Sequence, residues 1–241
     1  MKNFNRLGFV LLSCFLFSVG YSEGQIHAGK ITFERKTNLH KKFPDQEMRR
    51  WIGDEKYKYD MFYLYFNDTM SVFLPEEINM NDRSNWTTVR NKVISYLKQD
   101  QRYSLLNVWG EEVVVADTLK HRTYKIIPKK REIAGYNCQM VRFDQNDSMR
   151  IYLWYTDAIL PSVGPESYLG LPGAILGLAT EDGGVVYFAT KVEELEPDFQ
   201  QILPKFKTNK SLTEIEMIEE LSKRFAGSPW GDKAIKELFM W

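Results

Sequence analysis

Two cysteines and three histidines occur in 241 residues, too few for a disulfide framework or a clustered metal site. Neither sign of charge dominates, because 32 Lys and Arg stand against 32 Asp and Glu, so there is no basic field for nucleic acid. No apolar run reaches the roughly 20 residues of a membrane-spanning helix. A serine hydrolase of the common type would need a Gly-x-Ser-x-Gly elbow, which Gly164-Pro165-Glu166-Ser167 does not supply. A phosphate loop would need a strand-to-helix cradle, whereas Gly183-Gly184 follows Glu181-Asp182 as a hairpin turn. His27, His40 and His121 are scattered, and no metal or cofactor is expected.

What is present begins with Lys2 and Arg6, followed by an apolar run from Leu7 to Gly20 and the polar stretch Tyr21-Ser22-Glu23-Gly24-Gln25. This is the layout of a cleavable secretory signal. Small residues at −3 and −1 occur as Ser18 with Gly20 and as Ser22 with Gly24, and the later cut is favoured. Residues 1–24 are therefore read as the signal, with export to the periplasm or cell surface. Leu11-Leu12-Ser13-Cys14 offers a rival, a lipoprotein box acylated at Cys14, but the apolar run continues past that cysteine. Cleavage leaves 30 cations against 31 anions and one cysteine, Cys138. Its neighbours alternate with apolar residues, so it reads as a buried packing residue.

The remainder, about 217 residues, suits one β-rich domain. Gly29 to Thr37 alternates in the period-2 manner of a strand. His40 to Glu47 is polar and interrupted by Pro44, after which strands resume. Aromatic and β-branched residues flank Asn67-Asp68-Thr69 between Tyr57 and Leu74, which predicts a hairpin ended by Pro75. Residues 76–93 carry no usable periodicity. Strands are then expected over Arg102–Trp109, Glu111–Asp117 and Thr123–Ile127, the last stopped by Pro128 and Lys129-Lys130-Arg131. Ile133 to Phe143 and Met149 to Tyr155 form a hairpin through Asn146-Asp147, and Ala174–Thr180 with Val185–Val192 form another through Asp182-Gly183. From Ser211 the pattern turns helical: Ser211-Leu212-Thr213-Glu214 offers a cap at Ser211 or Thr213, Ile215, Ile218 and Leu221 recur at helical spacing, and Asp232–Phe239 makes a second helix. The expected fold is mainly β, an antiparallel, strongly curved sheet or open barrel over residues 25–207, with a C-terminal helical segment over 208–241.

Between Trp154 and Ala174 the chain carries Pro161, Gly164-Pro165 and Gly170-Leu171-Pro172-Gly173-Ala174-Ile175. Proline sets its own φ and glycine supplies angles other residues avoid, so this segment is conformationally fixed. Leu-Pro-Gly predicts a type II turn with positive φ at Gly173. The hexapeptide resembles the signature of the GLPGLI family, exported proteins of Gram-negative bacteria catalogued partly as a Porphyromonas-type domain of unknown function. Ala174 stands where that signature has Leu. The resemblance extends to Ile133-Ala134-Gly135-Tyr136-Asn137-Cys138, to Trp154-Tyr155-Thr156 and to Gly164-Pro165. It implies an exported protein whose signature loop, Gly164, Pro165, Gly170, Leu171, Pro172, Gly173, Ala174 and Ile175, is structural. It implies no catalytic residues, and it suggests an outer-membrane transporter or another envelope protein as partner.

Glu76 with Glu77, and Glu181 with Asp182, read as solvated turn residues. The aromatics of Tyr57–Phe66 either fill a core or wall a pocket for a lipid or hydrophobic peptide. Thr69, Thr118 and Ser148 follow Asp in a bacterial O-glycosylation pattern. The functional expectation is a non-enzymatic binding or accessory module of the envelope; a half-barrel carrier of a hydrophobic ligand and an unrecognised hydrolase are the alternatives.

Overall fold

The computed structural model describes residues 24–53, 55–77, 82, 84–108, 110–146, 149–208 and 210–241. Residues 1–23 of the expected signal, Cys14 among them, and Ser148 lie outside the described residues. The described chain runs β1 (Gly29–Asn38), α1 (Leu39–Lys42), α2 (Gln46–Ile52), β2 (Tyr57–Phe66), β3 (Met70–Pro75), a 3-10 turn (Asn85–Thr87), β4 (Lys92–Tyr96), β5 (Gln101–Val108) and β6 (Glu111–Asp117). It continues with β7 (Lys125–Ile133), β8 (Tyr136–Asn146), β9 (Met149–Thr156), β10 (Ala174–Thr180), β11 (Val185–Glu194), α3 (Phe199–Ile202), α4 (Glu214–Arg224) and α5 (Gly231–Leu238).

The strands form one 11-stranded sheet in the order β6-β5-β4-β3-β2-β1-β11-β10-β9-β8-β7. Every neighbouring pair is antiparallel, and the two ends do not meet. The mainly β, open curved sheet is thus the observed fold. Only the β1–β11 contact joins strands distant in sequence; the rest is meander, so β1 is the seam between two runs of hairpins.

Alternation places residues on two faces. On the inner face Ile31, Phe33, Phe62, Leu64, Phe66, Phe73, Ile151, Leu153, Leu178 and Tyr187 are all buried. Phe62 stacks on Phe73 with centroids 4.9 Å apart, and the Trp241 ring meets Tyr187 and Tyr168 edge-on. Each such ring removes a large apolar area from water, and truncating one costs about 3–5 kcal/mol. Towards β5 and β6 the inner face is covered by α4 and α5, with Leu106, Val108 and Val115 against Met217, Leu221, Ile235 and Leu238. Thr213 caps α4 in a full capping box with Glu216. On the outer face Phe199, Ile202, Leu203 and Phe206 cover Val72, Ile94 and Leu105.

Several local expectations are corrected. The polar stretch after β1 holds two short helices, α2 being capped by the Asp45 side chain on Glu47 N–H. Residues 92–96, within and just beyond the segment without periodicity, form β4; Val93 and Ile94 are both buried because both sheet faces are covered there, which erases the alternation. Pro128 and Lys129-Lys130-Arg131 do not stop β7 but lie inside it. β7 is an edge strand, where proline loses no ladder bond and charge guards against foreign strands.

Cys138 is fully buried and pairs with no other cysteine among the described residues, and burial pushes its thiol up to about 12. A thiol so placed carries almost no thiolate at neutral pH. For the chain from Gln25 onward, which holds Cys138 alone, the expected result is no labelling by a thiol reagent in the folded protein and one full equivalent in denaturant, read by absorbance.

Candidate functional site

Three inner-face residues stand in one cross-strand row, because the register sets Arg35 of β1 opposite both Asp60 of β2 and Tyr187 of β11. The flanking inward positions, Phe33 and Phe62, are apolar, so the row lies at the rim of the aromatic core. Asp60 accepts from Arg35 Nη2 at 2.6 Å, from Thr88 Oγ1 at 3.0 Å and from the Arg90 guanidinium. Arg35 Nη1 also donates to the Val89 carbonyl at 2.6 Å and to the Tyr187 hydroxyl at 3.2 Å. Tyr187 in turn donates to Glu166 Oε1 at 2.5 Å. Asp60, Arg35, Tyr187 and Glu166 are all at most 4% exposed, so the chain Asp60–Arg35–Tyr187–Glu166 runs through the buried interior.

Glu166 is brought there by the loop between β9 and β10. Its φ of 58° is left-handed, which a non-glycine residue rarely holds without support from its surroundings. That support is specific. Arg122 donates to the Ser167 carbonyl at 2.7 Å and to Ser167 Oγ at 3.0 Å, while its guanidinium lies 4.0 Å over the Tyr168 ring. Tyr124 donates to the Leu169 carbonyl at 2.6 Å, and Ser162 Oγ accepts from Gly170 N–H at 2.6 Å. A Cβ at Gly164 would come within 2.8 Å of the Ile175 Cβ, so the loop lies flat on β10.

The two acids of the network differ. Burial alone would raise Asp60, but the Arg35 and Arg90 guanidiniums hold it below the usual carboxylate range. Glu166 has no guanidinium in direct contact among the described residues, and burial lifts its carboxyl to about 7 against the opposing pull of Arg35, Tyr187 and Lys120. A carboxyl raised in the folded state contributes stability that is fully present below its unfolded value and is lost as pH rises through the folded one. Stability should therefore fall between about pH 4.5 and 7, by an amount on the order of 3 kcal/mol. Glu166→Gln keeps an oxygen to accept from Tyr187 and removes the titration. Urea unfolding at pH 5 and pH 8 should show this variant with a smaller loss across the interval than the parent chain.

Arg35 also lines a cavity of about 470 Å³. Its apolar lining is Val89, Met149, Val185, Met240 and Trp241, and its polar rim comes from Lys41 and Lys42 of α1, Arg150 of β9, the β10–β11 turn and Glu237 of α5. The rim charges are paired: Lys42 with Glu237 at 2.7 Å, Arg150 with Glu181 at 2.9 Å and Lys41 with Asp182 at 3.7 Å. Glu181 and Asp182, expected as solvated turn residues, stand at the mouth of this cavity.

The residues singled out from sequence fall in three places. Gly164, Pro165, Leu171, Gly173, Ala174 and Ile175 are buried against the core, with Gly170 and Pro172 exposed. The expected type II turn is tighter: Gly173 N–H donates to the Leu171 carbonyl at 2.7 Å, a three-residue turn about Pro172. Gly173 does have positive φ, 132°. Within Tyr57–Phe66, the inward Phe62, Leu64 and Phe66 fill the core, and no residue of that strand lines the cavity. Its outward tyrosines carry lysines, Lys30 4.2 Å over Tyr63 and Lys36 4.0 Å over Tyr57. His27 pairs with Asp68 and His121 with Asp100, both at exposed positions. Thr118 is exposed and Thr69 half-buried in the β2–β3 turn. Sequence reasoning missed Arg35, Asp60 and Tyr187. Its available signal was parity: Arg35 shares the inward positions of Ile31 and Phe33, and Asp60 those of Phe62 and Leu64.

The fold has solved counterparts. One is the protein PNGF-II, superposed with TM-score 0.52 at 19% identity over 78% of this chain and 30% of that one. The chain thus spans less than a third of the PNGF-II polypeptide. An uncharacterized conserved protein from Thermus thermophilus gives TM-score 0.39 at 6% identity, covering 76% of this chain and 89% of that one. MucB in its complex with MucA from Pseudomonas aeruginosa gives 0.38 at 9% identity, covering 74% and 56%. The last two superpose only loosely. No curated protein matches the chain. Residues 82–177, from before β4 to Gly177 of β10 and including the whole Glu166 loop, match the family model Porph_ging, a protein family of unknown function.

Proposed function

We propose that the chain is an exported binding module: residues 1–24 direct export and are removed, the β-rich body of 25–207 carries the site, and the helical tail of 208–241 closes it. The observation that carries this reading is the cavity of about 470 Å³ beside Arg35, with an apolar floor and converging polar groups, the usual form of a small-ligand site. The Gly164–Ile175 loop serves as a structural brace. It presses Glu166 onto Tyr187, and Tyr187 holds Arg35 at the cavity wall. The carrier of a hydrophobic ligand survives in altered form, with the ligand's apolar part on Met149, Val185, Met240 and Trp241 rather than on the strand aromatics. An envelope protein, such as an outer-membrane transporter, is the partner the family resemblance suggests.

The test uses the methionine methyl groups. Met149 and Met240 line the cavity from two elements distant in sequence, β9 and the segment after α5. Methyl NMR of the purified chain during a screen of small neutral and charged fragments should find compounds that shift both signals together. A broad library that moves neither would count against a binding site here.

A further inference from the structure

The geometry points to an apolar monocarboxylate, an aliphatic or aromatic acid of modest length, as the ligand class of the Arg35 cavity. This rests on the binding reading above and deepens it. Arg35 is 3% exposed, and its Nε has no hydrogen-bond partner among the described residues while its other two nitrogens are engaged. The charge around it does not balance. Each rim cation has its own carboxylate, Lys41 with Asp182, Lys42 with Glu237 and Arg150 with Glu181. Arg35 and Arg90, by contrast, share the single carboxylate of Asp60. The remaining acid nearby, Glu166, reaches Arg35 only through the Tyr187 hydroxyl.

Arg35, a buried guanidinium that shares its one direct counter-ion with the partly exposed Arg90, has an unmet demand for negative charge, and a carboxylate is the planar acceptor that suits it. The rest of the cavity asks for the opposite chemistry. Val89, Met149, Val185, Met240 and Trp241 offer a hydrocarbon surface, and methionines adapt to irregular apolar shapes. A ligand with one charged end and an apolar body satisfies both demands; a polyanion or a neutral sugar satisfies one at most.

The test is calorimetric titration of the purified chain with 4-phenylbutyrate and, separately, with its neutral amide, 4-phenylbutyramide. The acid is expected to bind at least tenfold more tightly than the amide. Met149→Trp, which fills the cavity from β9 without touching the charge network, should weaken the acid at least tenfold. Arg35→Gln should bring acid and amide to equal affinity; should that variant not fold, the acid-to-amide ratio and Met149→Trp decide alone. Equal binding of acid and amide by the parent chain would overturn the carboxylate assignment and leave the binding reading standing. Acid binding that Met149→Trp leaves unchanged would place the ligand elsewhere and overturn the assignment. Binding of neither compound, with decanoate also silent, would overturn it too; the fragment screen on the methionine methyls then decides the binding reading independently.

Discussion

Gly173→Ala is expected to be the most damaging single substitution in the loop, lowering stability by about 4 kcal/mol or more, the range reached only when a change has a specific steric cause. Two effects add. The φ of 132° lies where L side chains are strained, and a Cβ there would overlap the Thr156 carbonyl oxygen and come within 2.9 Å of the Ile159 carbonyl oxygen. The second carbonyl cannot simply retreat, because it accepts the Ala174 N–H at 3.0 Å where β10 begins. Gly183→Ala separates the effects. Gly183 also has positive φ, 66°, but a Cβ there meets nothing within 4 Å, so about 1–2 kcal/mol of backbone strain is the expected loss. Urea midpoints for the two variants give the comparison, and equal losses would remove the steric account of the loop.

Asp60→Ala is expected to cost about 3–5 kcal/mol, the range for removing one partner of a buried ion pair. The loss would come less from the missing attraction than from the charges left behind: Arg35 is 3% exposed and relies on Asp60, and Arg90 shares it. Pairing Asp60→Ala with Arg35→Met should therefore lose less than the sum of the two single changes, because an uncompensated guanidinium disappears. Unfolding of the four species in a double-mutant cycle measures this. Strict additivity would mean that the two side chains act separately.

These two sites differ in how readable they were. Gly173 sits in Leu171-Pro172-Gly173, where the residue types alone demand a turn and a positive φ, and only the tightness of the turn needed coordinates. The hairpins β2–β3, β8–β9 and β10–β11 are legible for a related reason, since turn residues stand between apolar-rich runs in each; period 2 survives in β2 and β9, whereas β10 is buried on both faces. β4 was hidden because its two faces are covered by separate layers, making Val93 and Ile94 equally buried. β7 runs past the point where a proline and three basic residues suggest a stop, because an edge strand tolerates both.

Glu166 was the least readable. In sequence it follows Gly164-Pro165 as an ordinary polar loop residue, and nothing local says that it is 4% exposed. Its role depends on Tyr187 and Arg35, which the strand order β1-β11-β10 brings to the loop from distant parts of the chain. The cavity is likewise a product of assembly, built from β1, α1, β9, the β10–β11 turn and the end of the helical tail. A charged residue on an inward strand position, such as Arg35 or Asp60, was the one clue the linear pattern offered.

Glu166, as a buried carboxyl, is the piece that joins the Gly164–Ile175 loop to Arg35 and so to the cavity. The most direct test is its own titration, followed through the side-chain carboxyl carbon by NMR and assigned with Glu166→Gln. A midpoint near 7 is the predicted result. A midpoint near 4.5, the ordinary value for a glutamate, would mean a solvated side chain, and the proposed link between loop and cavity would be wrong.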